Sequence, residues 1–378
     1  MLSTGKITED ISKVVIRNGW DTYVAYGRFA KPSVSQQFRV GNQWDTYMHY
    51  FQHRFWDGEG LASRRATRTL IQRIEEIAPD IIHLHNIHDH YLNYPLLFNY
   101  LATTDIPIVW TQHDCWAFTG GCMYFDMMNC NEWKSDCKSC PEKRALFCNK
   151  SREQFLLKKE LLNGIKNLTF VSVSNWLNGL LRESVQKHRR IETIHNGIDI
   201  QKFVPIGEKN KEKTKILGVA AVWDKRKGLD DFLKLREKLS NEYEIILVGL
   251  TQKQVNALPK GVIGITRTTN VEELVRLYAN ANVFVNPTYS DNFPTTNIEA
   301  LACGTPVITY KTGGSPEALD EKTGITIEQG DIEGLVNAIM QMKESPLFSE
   351  DCRKRVEAYF DKDKCYEKYM CLYMELLN

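Results

Sequence analysis

Apolar and polar positions fall in alternating blocks along this chain, and the blocks read as strands and helices in turn. The clearest unit is Val283 to Glu317. An apolar run from Val283 to Val285 ends at Asn286-Pro287, and a polar loop carrying Asp291 follows. A helix opens near Thr295 and places Glu299 inside its first turns. A second buried strand runs from Pro306 to Thr309, before the Gly313-Gly314 turn and Glu317. Further strands are predicted at Thr22 to Tyr26, Asp80 to Leu84, Ile106 to Thr111, Leu168 to Val173 and Ile191 to Ile194. Later ones follow at Ile216 to Ala220, Ile245 to Val248 and Val262 to Ile265. Helical spacing fills the intervals. Ile7, Ile11, Val14 and Val15 share one face, and Ala66, Leu70, Ile74 and Ile77 share another. Ser174 is placed as the N-cap of a helix holding Leu177 and Leu181. Tyr366, Tyr369, Met370 and Tyr373 form a stripe on a last helix. Strands alternating with helices in both halves predict an α/β chain of two doubly wound, Rossmann-like domains.

At 378 residues the chain has the length of two ordinary domains. A formal net charge of +1 argues against bulk nucleic-acid binding, so no nucleic-acid partner is expected. No run approaches a membrane span, and the start lacks the basic-then-apolar pattern of a signal peptide. The reducing cytoplasm is therefore the expected compartment, and the ten cysteines read first as thiols or metal ligands. Six of them, Cys115, Cys122, Cys130, Cys137, Cys140 and Cys148, lie in one loop-like insert over 115–148. Cys137 and Cys140 form a CxxC that Cys122 and Cys130 would complete as four thiolates. A structural zinc there would order a segment expected to have little apolar content of its own. Free thiols, and a redox or cluster role, are the other readings.

Trp44 to Ile77 interleaves aromatic and basic residues: Phe51, Phe55 and Trp56 with Arg54, then Arg64, Arg65 and Arg68 opposite the apolar helix face. Such a stretch seats a protein on an anionic membrane surface, or is a solvated helix face beside packed aromatics. His83, His85, His88 and His90 cluster at one strand end, and His113-Asp114 stands at the carboxyl end of the next.

The candidate chemistry lies at strand ends. Unpaired N–H groups and the dipole at a helix opening favour an anion, so the loop before Thr295 and Thr296 suits a phosphate. Asp291 and Glu299 would instead accept hydrogen bonds from vicinal hydroxyls. A phosphate seat beside hydroxyl acceptors points to a sugar nucleotide.

The run from Asp291 to Val307 resembles the donor site of the family-four retaining glycosyltransferases, which have the GT-B architecture of two such domains facing a cleft. Their signature is Glu, seven residues, Glu, within EGFGxxxxEAxAxGxPV; here Asp291 and Glu299 hold the two acidic positions. The resemblance implies that Glu299 holds the ribose hydroxyls and that Asp291 contacts the donor sugar near its reacting carbon. Thr295 and Thr296 would bind the diphosphate, because Pro294 has no N–H to give. Lys227-Gly228 matches the family's Lys-Gly pair on the diphosphate, whereas the usual arginine upstream is absent. Arg226 or Lys225 would replace it. His113 matches a histidine that lies against the donor sugar. Ser3-Thr4-Gly5 matches the small-residue loop that approaches the donor phosphates, with Gly5 as the backbone contact. In the family a buried strand precedes that loop, and here only Met1 and Leu2 do, so the N-terminal domain is expected to lack its first strand, through a start downstream of the true beginning in preference to loss of an inner strand.

The domains implied are 1–196, which includes the cysteine-rich insert, 197–360 as the nucleotide-sugar domain, and 361–378 as a helix crossing back. His195-Asn196-Gly197-Ile198-Asp199 marks the crossover, and Glu208 to Lys215 forms a charged linker-like tract. The activity implied is transfer of a hexose from a nucleoside diphosphate sugar to a glycan, with no cofactor required for catalysis. The acceptor expected is a lipid-linked saccharide of capsule or lipopolysaccharide synthesis, met by a peripheral contact at the inner face of the plasma membrane. A sugar-nucleotide epimerase and a non-catalytic sugar-nucleotide-binding relative are the alternatives.

Overall fold

The computed structural model describes residues 3–28, 31–138, 140–141, 145–207 and 212–378. Ser139 of the CxxC and residues 208–211 of the charged tract lie outside the described residues. The chain divides into two compact units, Met1–Ile194 with Tyr366–Asn378, and His195–Cys365.

In the first unit β1 (Tyr23–Tyr26) pairs in parallel with β2 (Gln36–Arg39). A separate parallel sheet runs in the order β3 (Ile82–Leu84), β4 (Ile108–Gln112), β5 (Leu168–Ser172) and β6 (Arg190–Thr193). Among the described residues these are two separate sheets. β4 begins two residues later than the apolar run predicts, because Pro107 has no N–H for the ladder and offers only its carbonyl, to Ile82. β4 and β5 are buried along their whole length, as strands covered on both faces must be. Trp110 packs on Phe98 and Phe170 at centroid distances of 5.6 and 5.7 Å. The tyrosine stripe of the last helix, Lys362–Leu377, faces inward: Tyr369 Oη bonds Thr111 Oγ1 at 2.9 Å, and Tyr373 Oη lies 2.6 Å from His83 Nδ1.

Two expectations do not hold. Ser3-Thr4-Gly5 is not a loop but the first turn of a helix, Ser3–Arg17. The ladder reaches back that far because Thr8 Oγ1 already donates to Thr4 O at 3.0 Å, while Ile7, Ile11 and Val14 bury one face. The cysteine-rich insert does carry an apolar centre. Single helical turns at Trp116–Phe118, Phe125–Met128 and Glu132–Lys134 bring Phe118, Phe125 and Trp133 together, with ring centroids 4.8 to 5.4 Å apart.

The second unit is one parallel sheet of six strands in the order β12 (Gly324–Ile327), β11 (Val307–Tyr310), β10 (Val283–Asn286), β7 (Thr214–Val219), β8 (Tyr243–Val248) and β9 (Val262–Ile265). Sequence order runs outward from the centre in both directions. The topological switch point therefore falls between β7 and β10, where ligands of doubly wound sheets bind at the carboxyl ends. Val283 and Phe284 pair there with Ile216 and Leu217. The strand after this crevice is buried at every position, and the helix Val271–Asn280 before it is capped by Asn270 Oδ1 on Glu273 N at 2.8 Å.

Candidate active site

Loops from both strands of the switch point meet in the second unit. After β7 the chain makes one helical turn, Lys225–Lys227, started by Asp224, whose Oδ1 accepts from Lys227 N at 3.2 Å. Gly228 ends it at φ 71°, where a Cβ would lie 2.2 Å from Pro287 O. Only glycine lets this turn sit against the end of β10. After β10 the loop Thr288–Asp291 is pinned to the same turn: Tyr289 N donates to Arg226 O at 2.7 Å, and Arg226 Nη1 donates to Ser290 O at 2.9 Å. Lys227 Nζ then reaches Asp291 Oδ2 at 2.5 Å, with Arg226 Nη1 at 3.8 Å from the same oxygen. All three side chains are about one-fifth exposed, so the pair is held where water is scarce yet reachable. Arg226 thus brings a guanidinium to the site, whereas Lys225 is exposed. The upstream position holds Val222, 65% exposed, and the neighbouring Trp223 is buried with its Nε1 bonded to Val248 O at 2.9 Å.

Gly313 and Gly314 hold Asp291 from behind. Gly314 N donates to Asp291 O at 3.1 Å, and a Cβ on Gly313 (φ 55°) would lie 1.9 Å from that oxygen. The helix Thr295–Ala302 follows Pro294, and no side chain caps it. Asn297 N turns back to Pro294 O at 3.1 Å, while the first turn begins at the half-exposed Thr295 and Thr296, the kind of helix opening whose amides favour an anion. Glu299 sits one turn further on and accepts from Tyr278 Oη at 3.0 Å. Tyr278 is fully buried, and burial together with the Glu299 carboxylate pushes its pKa well above the ordinary value of 10.0. The phenol therefore remains a donor at every working pH.

A buried polar frame supports this loop. Asn286 Nδ2 donates to Asn297 Oδ1 at 2.8 Å, and Asn297 Nδ2 donates to Ser315 O at 3.1 Å. Asp231, 2% exposed, accepts from Tyr289 Oη at 2.7 Å and from Tyr310 Oη at 2.9 Å. Burial, then Asp231, raises the Tyr289 pKa to about 12. Glu317 pairs with His195 Nε2 at 2.8 Å, a partner that the motif does not announce.

In the first unit His113 follows β4, and its Nε2 lies 3.0 Å from His85 Nδ1. Burial lowers the His113 pKa to about 4, so the ring is neutral near pH 7 and acts through hydrogen bonds, not charge. His83 is tied to Thr111 Oγ1 at 2.8 Å and to Tyr373, and burial lowers it to about 3. His88 pairs with Asp114 at 2.9 Å. These partners account for His83, His85 and His88, and among the described residues no group of His, Cys, Asp or Glu is arranged around an ion. Gly5 lies in the first turn of the first helix.

A six-stranded doubly wound sheet, in a chain with a second parallel α/β unit, is the fold of the GT-B class of glycosyltransferase. The chain belongs to glycosyltransferase family 4: the profile of that family matches residues 5–202, and the profile described as glycosyl transferases group 1 matches residues 200–359. It is 24% identical over 319 residues to the putative colanic acid biosynthesis glycosyl transferase WcaC of Escherichia coli, spanning 79% of this chain and 77% of that one. Among solved structures, sucrose-phosphate synthase from Thermosynechococcus elongatus superposes with a TM-score of 0.73 at 17% identity, covering 98% of this chain and 92% of that chain. Anabaena HepE in complex with UDP gives a TM-score of 0.66 at 14% identity, with coverage of 99% and 96%. These two likenesses establish the fold.

The positions that sequence reasoning misses are supporting ones. Tyr278, Asp231 and Tyr310 come from other elements, Tyr289 stands two residues before Asp291 in the same loop, and nothing in the signature marks their roles.

Proposed function

We propose that the chain is a retaining glycosyltransferase that moves a hexose from a nucleoside diphosphate sugar to a glycan acceptor. The observation that carries this reading is the Lys227, Arg226 and Asp291 cluster at the switch point between β7 and β10. As the bond from the anomeric carbon to the phosphate oxygen breaks, negative charge grows on the leaving diphosphate. Lys227 and Arg226 neutralise that charge, aided by the amides and hydroxyls of Thr295 and Thr296, and fixed donors of this kind supply much of the rate. Glu299, oriented by Tyr278, holds the ribose hydroxyls. Asp291 orients the sugar, and His113 makes the sugar contact that its motif position implies, as a neutral imidazole. An acceptor hydroxyl then forms the new bond with the anomeric configuration kept. The protein HepE, of the same fold, is seen with UDP, and WcaC is named for colanic acid synthesis, which supports a nucleoside diphosphate donor and a surface-polysaccharide acceptor here.

A lipid-linked acceptor, and a peripheral membrane contact, are supported by the helix Gln43–Trp56 of the first unit. Trp44 is 77% exposed, and Tyr47, Met48, Phe51 and Trp56 are exposed beside it. Phe147, 70% exposed, stands against the end of this helix through its N–H to Phe55 O at 3.1 Å. A groove of about 640 Å³ opens between Met48, Phe51 and Trp56. Apolar surface of this extent, near the exposed Arg54, marks an interaction face, and a lipid surface fits it. No helix of the described residues is long and apolar enough to cross a membrane.

A thermal-shift screen of nucleoside diphosphate sugars tests the reading. A specific donor at one hundred times its Kd adds about 2.7 kcal/mol of stability. Release of the nucleoside diphosphate that depends on added glycan completes the test. Isomerisation of the donor without acceptor would point to an epimerase, and binding without turnover on any acceptor to a non-catalytic relative.

A further inference from the structure

The cysteine-rich insert of the first unit is not used by the transfer chemistry. Its six cysteines divide into two groups. Cys122, Cys130, Cys137 and Cys140 line one small cavity of about 10 Å³, while Cys115 and Cys148 do not. About one water-sized sphere fits such a space. We propose that this cavity is a structural zinc site closed by the thiolates of Cys122, Cys130, Cys137 and Cys140.

Three observations carry the assignment. First, residues spread over nineteen positions of sequence line one small cavity. Cys137 N donates to Glu132 O at 3.0 Å, and Trp133 Nε1 donates to Cys130 O at 3.1 Å, so the aromatic centre and the thiols form one unit. Second, the Cys122 and Cys140 sulfurs are 4.0 Å apart. With zinc–sulfur bonds of about 2.3 Å, the edge of a tetrahedron is about 3.8 Å, whereas a disulfide needs about 2.05 Å. Among the described residues the cysteines form no disulfide. Third, a buried cation lies near one of the thiols: Lys158, 1% exposed, donates from Nζ to Trp116 O at 2.5 Å, and its charge reaches Cys137. Zn²⁺ with four thiolates carries a net charge of −2, which a buried ammonium offsets. Gly120 contributes a backbone hydrogen bond to the Cys137 sulfur, as the outer shell of a thiolate site does.

Among the described residues the thiols stand outside coordination geometry. Binding closes the Cys122–Cys140 pair by about 0.2 Å, turns the other two side chains inward, and releases the thiol protons to solvent. The insert has single helical turns and no strand among its described residues, so the ion would supply the order that a sheet supplies elsewhere.

The test uses the full chain purified without chelator. Elemental analysis is expected to give about one zinc per chain, lost in Cys130→Ser and Cys137→Ser and retained in Cys148→Ser and Cys371→Ser. Because a ligand variant can fail to fold, the unaltered chain is also stripped by a chelator and reloaded with Co²⁺. Intense thiolate-to-cobalt absorption is expected, with recovered protection of Lys134 and Lys138 from trypsin. The proposal is overturned if reloading gives only the weak spectrum of oxygen and nitrogen ligands. It is equally overturned if the native mass shows a Cys122–Cys140 disulfide, or if chelation leaves the insert as protected as before.

Discussion

Replacing Tyr278 with phenylalanine removes one oxygen and leaves the ring in place. Tyr278 is fully buried, so the change opens almost no space and the core contact with Phe284, at 5.4 Å between centroids, survives. What is lost is the 3.0 Å bond to Glu299 Oε2. A hydrogen bond to a charged group contributes roughly 1.5–3 kcal/mol, and Glu299 is only half-buried, so water recovers part of that. A net cost of about 1.5 kcal/mol corresponds to a roughly tenfold weaker grip on the ribose hydroxyls. Those hydroxyls do not change during transfer, so the loss falls equally on ground and transition states. Kd and KM for the donor rise about tenfold while kcat stays within about threefold. Calorimetry with the nucleoside diphosphate and steady-state kinetics read the two quantities. A 2′,3′-dideoxynucleotide should bind the variant and the original chain alike, because it lacks the groups at stake. A double-mutant cycle with Glu299→Gln should show coupling of about 1 kcal/mol. Unchanged affinity with additive effects, or a fall in kcat with KM intact, would refute the assignment of Glu299 to the ribose.

Gly313→Ala places a methyl group 1.9 Å from Asp291 O in a left-handed conformation, so the acid must move; donor turnover should fall at least about tenfold while the first unit's unfolding is unchanged, and full activity would count against Asp291 as the sugar contact. Asp291→Asn frees Lys227 from its 2.5 Å partner and removes a negative charge beside the diphosphate site. The free nucleoside diphosphate should then bind as tightly or tighter, by up to about tenfold, while transfer drops at least a hundredfold, about 2.7 kcal/mol; weaker nucleotide binding would show that the acid, not the cations, holds the diphosphate. Acid should weaken the first unit: burial lowers the pKa of His49 from 6.5 to about 4, so the unfolded chain binds a proton that the folded chain refuses. Stability is complete above about pH 6.5 and declines as pH falls toward 4, by roughly 3 kcal/mol for this group alone. His113, lowered to about 4, adds to the decline, and His88, raised beside Asp114, opposes it. Urea midpoints that stay flat from pH 7.5 to pH 5 would contradict this sum. Trp44→Ser with Phe147→Ser should release the chain from anionic vesicles in flotation without changing donor affinity, and co-flotation of the variant would remove this face from the membrane reading.

What the sequence shows plainly is whatever lies contiguously at a strand end. The strands β7 and β10 are nearly continuous apolar runs, because a parallel sheet covered on both faces permits little else. Asp291, Thr295 and Glu299 follow one of them within a single loop and helix, so their order and spacing survive as a readable string. The first helix is hard to place for the opposite reason. Ser3, Thr4 and Gly5 have the composition of a loop, and only the burial of Ile7, Ile11 and Val14 decides that the helix starts there. The core of the insert is hidden because its apolar residues have no period. Phe118, Phe125 and Trp133 meet through irregular turns, and no spacing rule foretells that.

The supporting shell of the site is illegible for a deeper reason, which also explains how the site works. Tyr278 lies on a helix before β10, Asp231 on one after β7, and Tyr310 at the end of β11; each touches the motif only because the sheet order folds them inward. Every one of them fixes a carboxylate or a loop, and none supplies positive charge. In this cluster positive charge comes from Arg226 and Lys227, and both are already engaged, one by Ser290 O and the other by Asp291. An ammonium has three protons, and a carboxylate at 2.5 Å occupies one direction. Under the proposed function, a diphosphate would meet a lysine already held by its acid partner, which lowers the reorganisation needed as the leaving group gains charge. On this view Asp291 serves twice: it aims the cation at the phosphate, and it offers its second oxygen to the sugar that the phosphate carries.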